Sequence, residues 1–221
     1  LMQLIHNISF SPDPQDFYTH LRISKNSRHS NEFDNLLKEA VTIARPKAAY
    51  MVSEVIHLSE EELSINNIRF ASRLLSKNLY GTVYPFAATA GKELAEFAAC
   101  ISGIRPKFWI DYIQNMVLYS AVSALESNLP LANLSCMNPG SLPDWGIEQQ
   151  RKLFMLLSGI PSALGIHLNQ DCLIEPLKSL TGIYFYSDSL FCNCSLCNKK
   201  NCPTRRIAFQ RQSWNCSNIS S

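Results

Sequence analysis

The sequence predicts an α+β fold with a largely antiparallel sheet. Short, strand-like apolar segments are mixed with helical segments of unequal length, and the regular strand–helix–strand alternation of a parallel sheet is missing. The 221 residues fit one domain of ordinary size. Since 46% of the residues are apolar and 17% are charged, the chain can build one sizeable core.

The N-terminal part of the chain predicts two helices and a β-rich segment. Residues 1–29 carry two prolines and are expected to form an irregular arm or a short strand. Ser30 is predicted to cap a helix, because apolar residues repeat at helical spacing over 33–41. Residues 48–65 are partly β-branched and contain an acidic turn, and helical spacing returns over 68–75.

The remaining elements follow from apolar spacing and from glycine and proline. A buried strand is predicted over 80–88, then a helix that ends near Gly103. The longest helix is predicted from Phe108 to about Ser127, where neither glycine nor proline occurs. The last predicted elements are a helix over 147–158 and strands over 164–168 and 182–186.

Charge and hydropathy exclude several classes of partner. The net charge of +2 favours neither nucleic acid nor a membrane surface as a partner. Apolar runs fall short of the roughly 20 residues that a membrane span needs, and the first residues do not resemble a signal peptide. We therefore expect a cytoplasmic protein. After Asp188 acidic residues are absent, so 189–221 is predicted to be a basic appendage of the body at 30–188.

Four of the eight cysteines lie within eleven residues: Cys192, Cys194, Cys197 and Cys202. In a cytosolic chain such bunching indicates a metal site before it indicates disulfides. Both Zn²⁺ and an iron–sulfur cluster accept four thiolates, and the spacing does not separate them. The alternatives are unligated thiols in a loose tail, or pairing with Cys172 or Cys216 after oxidation.

Two polar motifs are candidate ligand-binding segments. The loop 138–146 contains a Pro139-Gly140 turn that can bring backbone groups close to a ligand. Its plainer interpretation is a connection in which Asp144 caps the helix behind it and Trp145 anchors the packing. The segment 176–186 offers a lysine, hydroxyls and a glycine that lead into an aromatic strand, which either lines a pocket or belongs to the core.

These motifs, taken in order, resemble the activation domain of cobalamin-dependent methionine synthase. The matching blocks are Asn-Pro-Gly-Ser-x-x-Asp-Trp (138–145), Glu-Gln-Gln (148–150), Leu-Gly-Ile-x-Leu (164–168) and Pro-x-Lys-Ser-x-Thr-Gly-Ile-Tyr-Phe (176–185). The junction 87–94 is also similar, and the cysteine-rich end looks like that of short, stand-alone members. The resemblance runs from about Leu79 to Arg206.

The resemblance implies one curved domain around a twisted antiparallel sheet, and a module that binds S-adenosylmethionine. In this family the module presents that ligand to the cobalt of a cobalamin-binding domain, where one electron and one methyl group restore methylcobalamin. The chain would then be a component of a methyltransferase reactivation system without catalytic residues of its own. Its partner would be methionine synthase or another corrinoid methyltransferase.

Carried over residue by residue, the resemblance implies S-adenosylmethionine-binding roles for Pro139, Gly140, Ser141, Lys178 and Tyr184. Cys136 stands where large family members have an arginine that can hold the ligand's carboxylate, and Ser141 replaces a tyrosine. Lys178 is the candidate substitute for that arginine. Glu126 is a candidate for the family's acidic contact on the long helix.

Two other functions remain open at this point. The cysteine run can make the chain an iron–sulfur electron-transfer protein that reduces a corrinoid partner directly. Alternatively, a structural zinc knuckle can make it an adaptor without catalysis. Metal content separates these two functions. Ligand titration tests the activation module, which would bind S-adenosylmethionine.

Overall fold

A computed structural model describes residues 2–25, 27–130 and 133–188, together with residues 191 and 193. These residues form an α+β domain in which a curled antiparallel sheet is flanked by helices, so the predicted fold class is confirmed. Within the described residues, the helices all lack the length and apolar character needed to cross a membrane.

The helices begin and end at caps and prolines that the sequence supplies. Asp13 and Ser72 accept hydrogen bonds from backbone N–H groups at the start of α1 and α3. The helices are α1 (Pro14–Leu21), α2 (Arg28–Ile43), α3 (Arg73–Asn78), α4 (Lys92–Cys100), α5 (Ile104–Asn128), α6 (Gln150–Leu157) and α7 (Ile160–Leu164). A short 3-10 turn, Ile147–Gln149, leads into α6.

Strand β6 is the centre of the sheet. The strands are β1 (Met2–Ile5), β2 (Lys47–Met51), β3 (Ser53–His57), β4 (Glu62–Ile65), β5 (Ile68–Ala71), β6 (Thr82–Thr89), β7 (Leu134–Met137), β8 (His167–Leu168), β9 (Ile174–Glu175) and β10 (Ser179–Tyr186). One edge of β6 pairs with β10, and the other pairs with β2 and β3. All pairings are antiparallel, and β8 and β9 form a separate hairpin.

The two faces of the sheet bury different sets of side chains, because successive strand residues point to opposite sides. Ile183 and Phe185 of β10 enter a core that includes Trp145 and residues of α3, α6 and α7. Tyr184 points the other way and packs with Val122 and neighbouring residues of α5. Strand β10 therefore lies between an α6–α7 side and an α5 side.

The N-terminal segment packs against the helical layer. It contains helix α1, whereas the sequence predicted only an irregular arm or a short strand over residues 1–29. Phe17 of α1 is buried beside Phe33 of α2 and Trp109 of α5. Tyr18 donates a hydrogen bond to Asp34 at 2.5 Å, and this bond raises the pKa of Tyr18 to about 12. Strand β1 pairs with β2 and so extends the sheet.

Three local predictions were wrong. Ser27, and not Ser30, caps α2, because its hydroxyl accepts from the Ser30 N–H. The segment 68–75, predicted to be helical throughout, contains strand β5 and then the start of helix α3. Ser72 follows the strand and caps the helix. The strand over 164–168 is reduced to β8, because Pro161 favours the first turn of α7 up to Leu164.

Candidate functional site

The loop after β7 is held in a tight turn by Gly140. This glycine has a φ of +76°, and a Cβ atom there would lie 3.0 Å from Cδ1 of Ile147. Its N–H donates to the Trp145 carbonyl at 2.8 Å, and the Trp145 side chain is fully buried. The turn is therefore fixed at both ends, and glycine is the residue that this backbone geometry favours.

Asn138 attaches this loop to β10 at the point where β7 ends. The last pair of the β7–β10 ladder is Met137 with Ile183. Beyond that pair, Nδ2 of Asn138 donates to the Thr181 carbonyl at 2.7 Å and replaces the next backbone bond. Gly182 permits this close approach, since a Cβ atom there would lie 2.6 Å from the Met137 carbonyl oxygen.

A cleft of about 210 Å³ opens between this loop and the first residues of β10. Pro139 and Ser141 line it on one side, and Ser179 to Thr181 line it on the other. Gln150 also lines the cleft and is only 3% exposed. Its amide donates to the Thr181 hydroxyl, while its Oε1 atom has no hydrogen-bond partner within the described residues. A buried acceptor without a partner is costly, so Gln150 is a strained point of the cleft wall.

A larger groove, of about 660 Å³, runs along α5. Its described lining is His20, Phe108, Asp111, Tyr112, Asn115, Met116, Tyr119, Val122, Ser123 and Glu126. The nine α5 residues repeat every three or four positions and therefore share one helix face. The His20 ring stacks on Tyr112 with centroids 4.3 Å apart, and burial, then Asp16, raises the pKa of Tyr112. The groove thus combines aromatic rings with two carboxylates.

Two polar contacts join α5 to β10 and to Lys178, the residue before that strand. Nζ of Lys178 lies 2.8 Å from Oδ1 of Asp111, and the Tyr184 hydroxyl donates to Oε1 of Glu126 at 2.7 Å. The two contacts follow the same order along α5 and along residues 178–184. Asp111 is 60% exposed, so its ion pair adds little stability, about 0–1 kcal/mol.

Two of the five predicted ligand-binding residues line the cleft, and the other three lie close to one of the two cavities without lining it. Pro139 and Ser141 line the cleft, and Gly140 shapes the turn between them. Tyr184 is 3% exposed, and its hydroxyl contacts Glu126 on the groove side. Lys178 connects the cavities, because its sequence neighbours line the cleft while its ammonium group reaches Asp111 in the groove.

The four predicted metal ligands, Cys192, Cys194, Cys197 and Cys202, lie outside the described residues. The residues that the structure does describe contain no cluster of three or more His, Cys, Asp or Glu side chains that could hold a metal ion. The metal site therefore stays a prediction.

The sequence suggested that Asp144 caps the helix behind the loop, but the structure shows a different contact. Its Oδ2 atom accepts from the Leu74 N–H at 2.9 Å, at the start of α3, seventy residues away. Asp144 and Trp145 together tie the loop to the core side of the sheet, and Trp145 is the packing anchor that the sequence predicted.

Sequence reasoning missed several residues of the site. Asn138 and Gln150 lie inside the recognised motifs, but their roles depend on where Thr181 lies in the folded chain. The sequence did contain a signal for the groove on α5, since Asp111, Asn115 and Glu126 are polar residues at positions that share one face of the helix. Glu126 was considered from the resemblance, and the structure places it at this groove.

Comparison with known proteins shows a likeness of fold. No protein-family model and no curated protein sequence matches the chain. Among solved structures, the chain is similar to the MetH reactivation domain bound to AdoHcy, with a TM-score of 0.58 over 86% of this chain and 80% of that chain. The sequence identity is 13%, so the similarity concerns architecture. The chain thus has the fold of the MetH reactivation domain, as its motifs predicted.

Proposed function

We propose that the chain binds S-adenosylmethionine and acts as an activation module for a corrinoid-dependent methyltransferase such as methionine synthase. The observation that carries the proposal is its fold, which is that of a domain solved with AdoHcy bound. The Asn138–Ser141 loop supports it, because that motif carries the resemblance and also lines a cleft with an unsatisfied buried acceptor.

The sizes of the two cavities indicate how the ligand is placed. Small-molecule sites usually measure about 300–1,000 Å³, so the 210 Å³ cleft can take only part of S-adenosylmethionine. The groove of 660 Å³ can take the rest. We place one ligand across both cavities, with Lys178 between them.

The charge of the groove suits a sulfonium ion. S-adenosylmethionine is a cation at sulfur, whereas AdoHcy is not. The carboxylates of Asp111 and Glu126 attract a positive charge, and the rings of Tyr112 and Tyr119 can add cation–π attraction. Because Lys178 neutralises Asp111 in the free protein, a ligand carboxylate would compete for the same ammonium group and release Asp111 toward the sulfonium.

The chemical role of the module is positioning. When bound by the partner, a reduced corrinoid would supply the nucleophile that takes the methyl group. The residues of this chain need only fix the methyl donor in the attacking geometry, and correct orientation alone can remove several kcal/mol of a barrier. This explains why the site contains hydrogen-bonding and charged groups but needs no general acid or base.

Calorimetric titration with S-adenosylmethionine and AdoHcy tests the proposal. Lys178→Gln should weaken binding about tenfold, as expected for a lost hydrogen bond to a charged group. Tyr184→Phe keeps the buried ring and removes only the hydroxyl that orients Glu126, so a smaller loss, about threefold, is expected. Asp111→Asn should reduce the preference for S-adenosylmethionine over AdoHcy.

Lys38→Gln, an exposed change in the middle of α2, is the matched control and should bind as the wild type does. If the wild-type protein binds neither compound at millimolar concentration, the proposed function is wrong. Equal affinity in wild type, Lys178→Gln and Tyr184→Phe would place the ligand elsewhere on the molecule.

A second candidate function is electron transfer to the corrinoid through the C-terminal cysteines. What favours it is the position of Phe191 and Asn193, which flank Cys192 and contact β7 beside the ligand loop. Anaerobic purification with a visible spectrum and iron, sulfide and zinc analysis tests it. Iron, sulfide and absorption that bleaches on reduction would support an iron–sulfur protein, zinc would support a structural knuckle, and metal-free protein would contradict both.

A further inference from the structure

The first residues of the C-terminal segment are fastened to β7. The Phe191 N–H donates to the Ser135 hydroxyl at 2.8 Å, and Ser135 is buried within the strand. The Phe191 ring lies 6.2 Å from the ring of Phe185 and packs against the core on that side of the sheet. Phe191 thus fixes the path of the chain immediately before the cysteine run.

Asn193 contacts the strand end from which the ligand loop starts. In one orientation its amide nitrogen donates to Oδ1 of Asn138 at 2.6 Å. In the reversed orientation the nitrogen donates to the Cys136 carbonyl at 3.1 Å and the oxygen accepts from the Asn138 N–H at 3.2 Å. Both orientations use an N–H of the Asn193 amide to hold Cys136–Asn138.

Asn138 is consequently held by two contacts. Its Nδ2 atom donates to Thr181 on β10, which uses the amide nitrogen and leaves Oδ1 for an incoming donor. The second contact is with Asn193, whose amide also lies within hydrogen-bond distance of Cys136 and the Asn138 N–H. Since Asn138 lines the cleft and precedes Pro139 and Gly140, any displacement of Asn193 would change the wall of the cleft.

We propose that Asn193 is a positioning residue of the ligand cleft and acts through the strand end Cys136–Asn138. The inference rests on the proposed function only for the identity of the ligand. Asn193 lies between Cys192 and Cys194 in the sequence. The residue that holds this part of the cleft wall therefore belongs to the cysteine run.

Hydrogen–deuterium exchange of the full chain tests this positioning role without any ligand. Asn193→Ala should raise exchange at the Gly140 and Ser141 amides at least about threefold, while exchange in β2 and β6 stays unchanged. Asn193→Asp has nearly the same volume and can still accept from the Asn138 N–H, but it cannot donate, so it should also raise this exchange, by less than Asn193→Ala. Asn128→Ala, which removes only a local bond to Ala124, is the matched control.

The second measurement is AdoHcy affinity in the same variants, which should fall about three- to tenfold for Asn193→Ala and Asn193→Asp, the loss expected for one neutral hydrogen bond. Wild-type exchange at Gly140 and Ser141 in both variants would overturn the inference, even if AdoHcy binds. Wild-type behaviour of Asn193→Asp alone would show that Asn193 only fills space, and would also overturn it. Faster exchange in a protein that binds no AdoHcy would support the positioning role while the proposed function fails.

Discussion

Strand β10 has two sides that serve different purposes. On one side, Ile183 and Phe185 are fully buried against Trp145 and the helices α6 and α7. On the other side, Tyr184 donates a hydrogen bond to a carboxylate of α5, and one face of that helix lines the open groove. We refer to these as the closed side and the groove side.

The difference shows how one strand provides both stability and a binding surface. Apolar burial stabilises a fold roughly in proportion to the area removed from water, and the closed side belongs to a larger cluster of buried residues than the groove side does. The groove side has two polar contacts, Lys178–Asp111 and Tyr184–Glu126, which fix charges next to a cavity. The exposed ion pair of the two adds little stability. Changes on the closed side should therefore affect unfolding, and changes on the groove side should affect binding.

Trp145→Ala should show the largest effect on unfolding. Its side chain is fully buried and contacts Phe70 edge-on with ring centroids 6.2 Å apart. Removing such a ring costs about 3–5 kcal/mol of the free energy of unfolding. Urea denaturation measures it, and Met155→Ala, on the exposed side of α6, should change the free energy by less than about 0.5 kcal/mol. A small effect of Trp145→Ala would remove the contrast between the two sides.

Gly140→Ala tests the boundary between the sides. An alanine at a φ of +76° costs about 1–2 kcal/mol, and its Cβ atom would also press on Ile147. Gly165→Ala is the matched control, because Gly165 has a φ of +71° but open space around it. Both variants should lose stability in urea, but only Gly140→Ala should also weaken AdoHcy binding. Equal binding by the two variants would separate the turn from the ligand site.

Asp144→Ala should have a smaller effect, about 1 kcal/mol, because it removes one hydrogen bond and a favourable charge at the start of α3. Asp144→Asn keeps an acceptor and should lose less than Asp144→Ala. Urea denaturation of both variants provides the measurement. If both match the wild type, the bond from Leu74 contributes nothing to stability.

Glu93→Gln should show the smallest effect and depend on pH. Burial acts to raise the pKa of Glu93, but a backbone hydrogen bond and then Lys47 and Lys92 outweigh it, so the pKa lies below its ordinary value of 4.5. A lowered carboxyl pKa stabilises the folded state above pH 4.5, and this stabilisation disappears as the pH falls through the folded-state pKa. Unfolding curves at pH 7 should therefore differ between wild type and variant, and the difference should shrink below pH 4.5. A difference independent of pH would contradict this assignment.

Local sequence patterns predicted the elements whose causes lie within the elements themselves. Helix α5 was predictable because neither glycine nor proline occurs from Phe108 to Ser127, and β6 was predictable from its continuous apolar run. The sequence also identified the Pro139-Gly140 turn, because a tight turn favours these residue types.

The site itself depends on contacts between residues far apart in the chain, and spacing does not reveal them. Asp144 caps a helix seventy residues earlier, and Lys178 pairs with a residue sixty-seven positions away. The orphan acceptor of Gln150 exists only because β10 and α6 bury it together. Lys178 and Tyr184 remain predicted ligand-binding residues, and their contacts with Asp111 and Glu126 could be seen only in the folded structure.

The central claim is that one ligand occupies the cleft and the groove together. A crystal structure of the full chain with S-adenosylmethionine tests it most directly. The account predicts electron density for one ligand that extends from Gln150 past Lys178 to the carboxylate of Asp111. Density confined to another surface, or no bound ligand at saturating concentration, would contradict it.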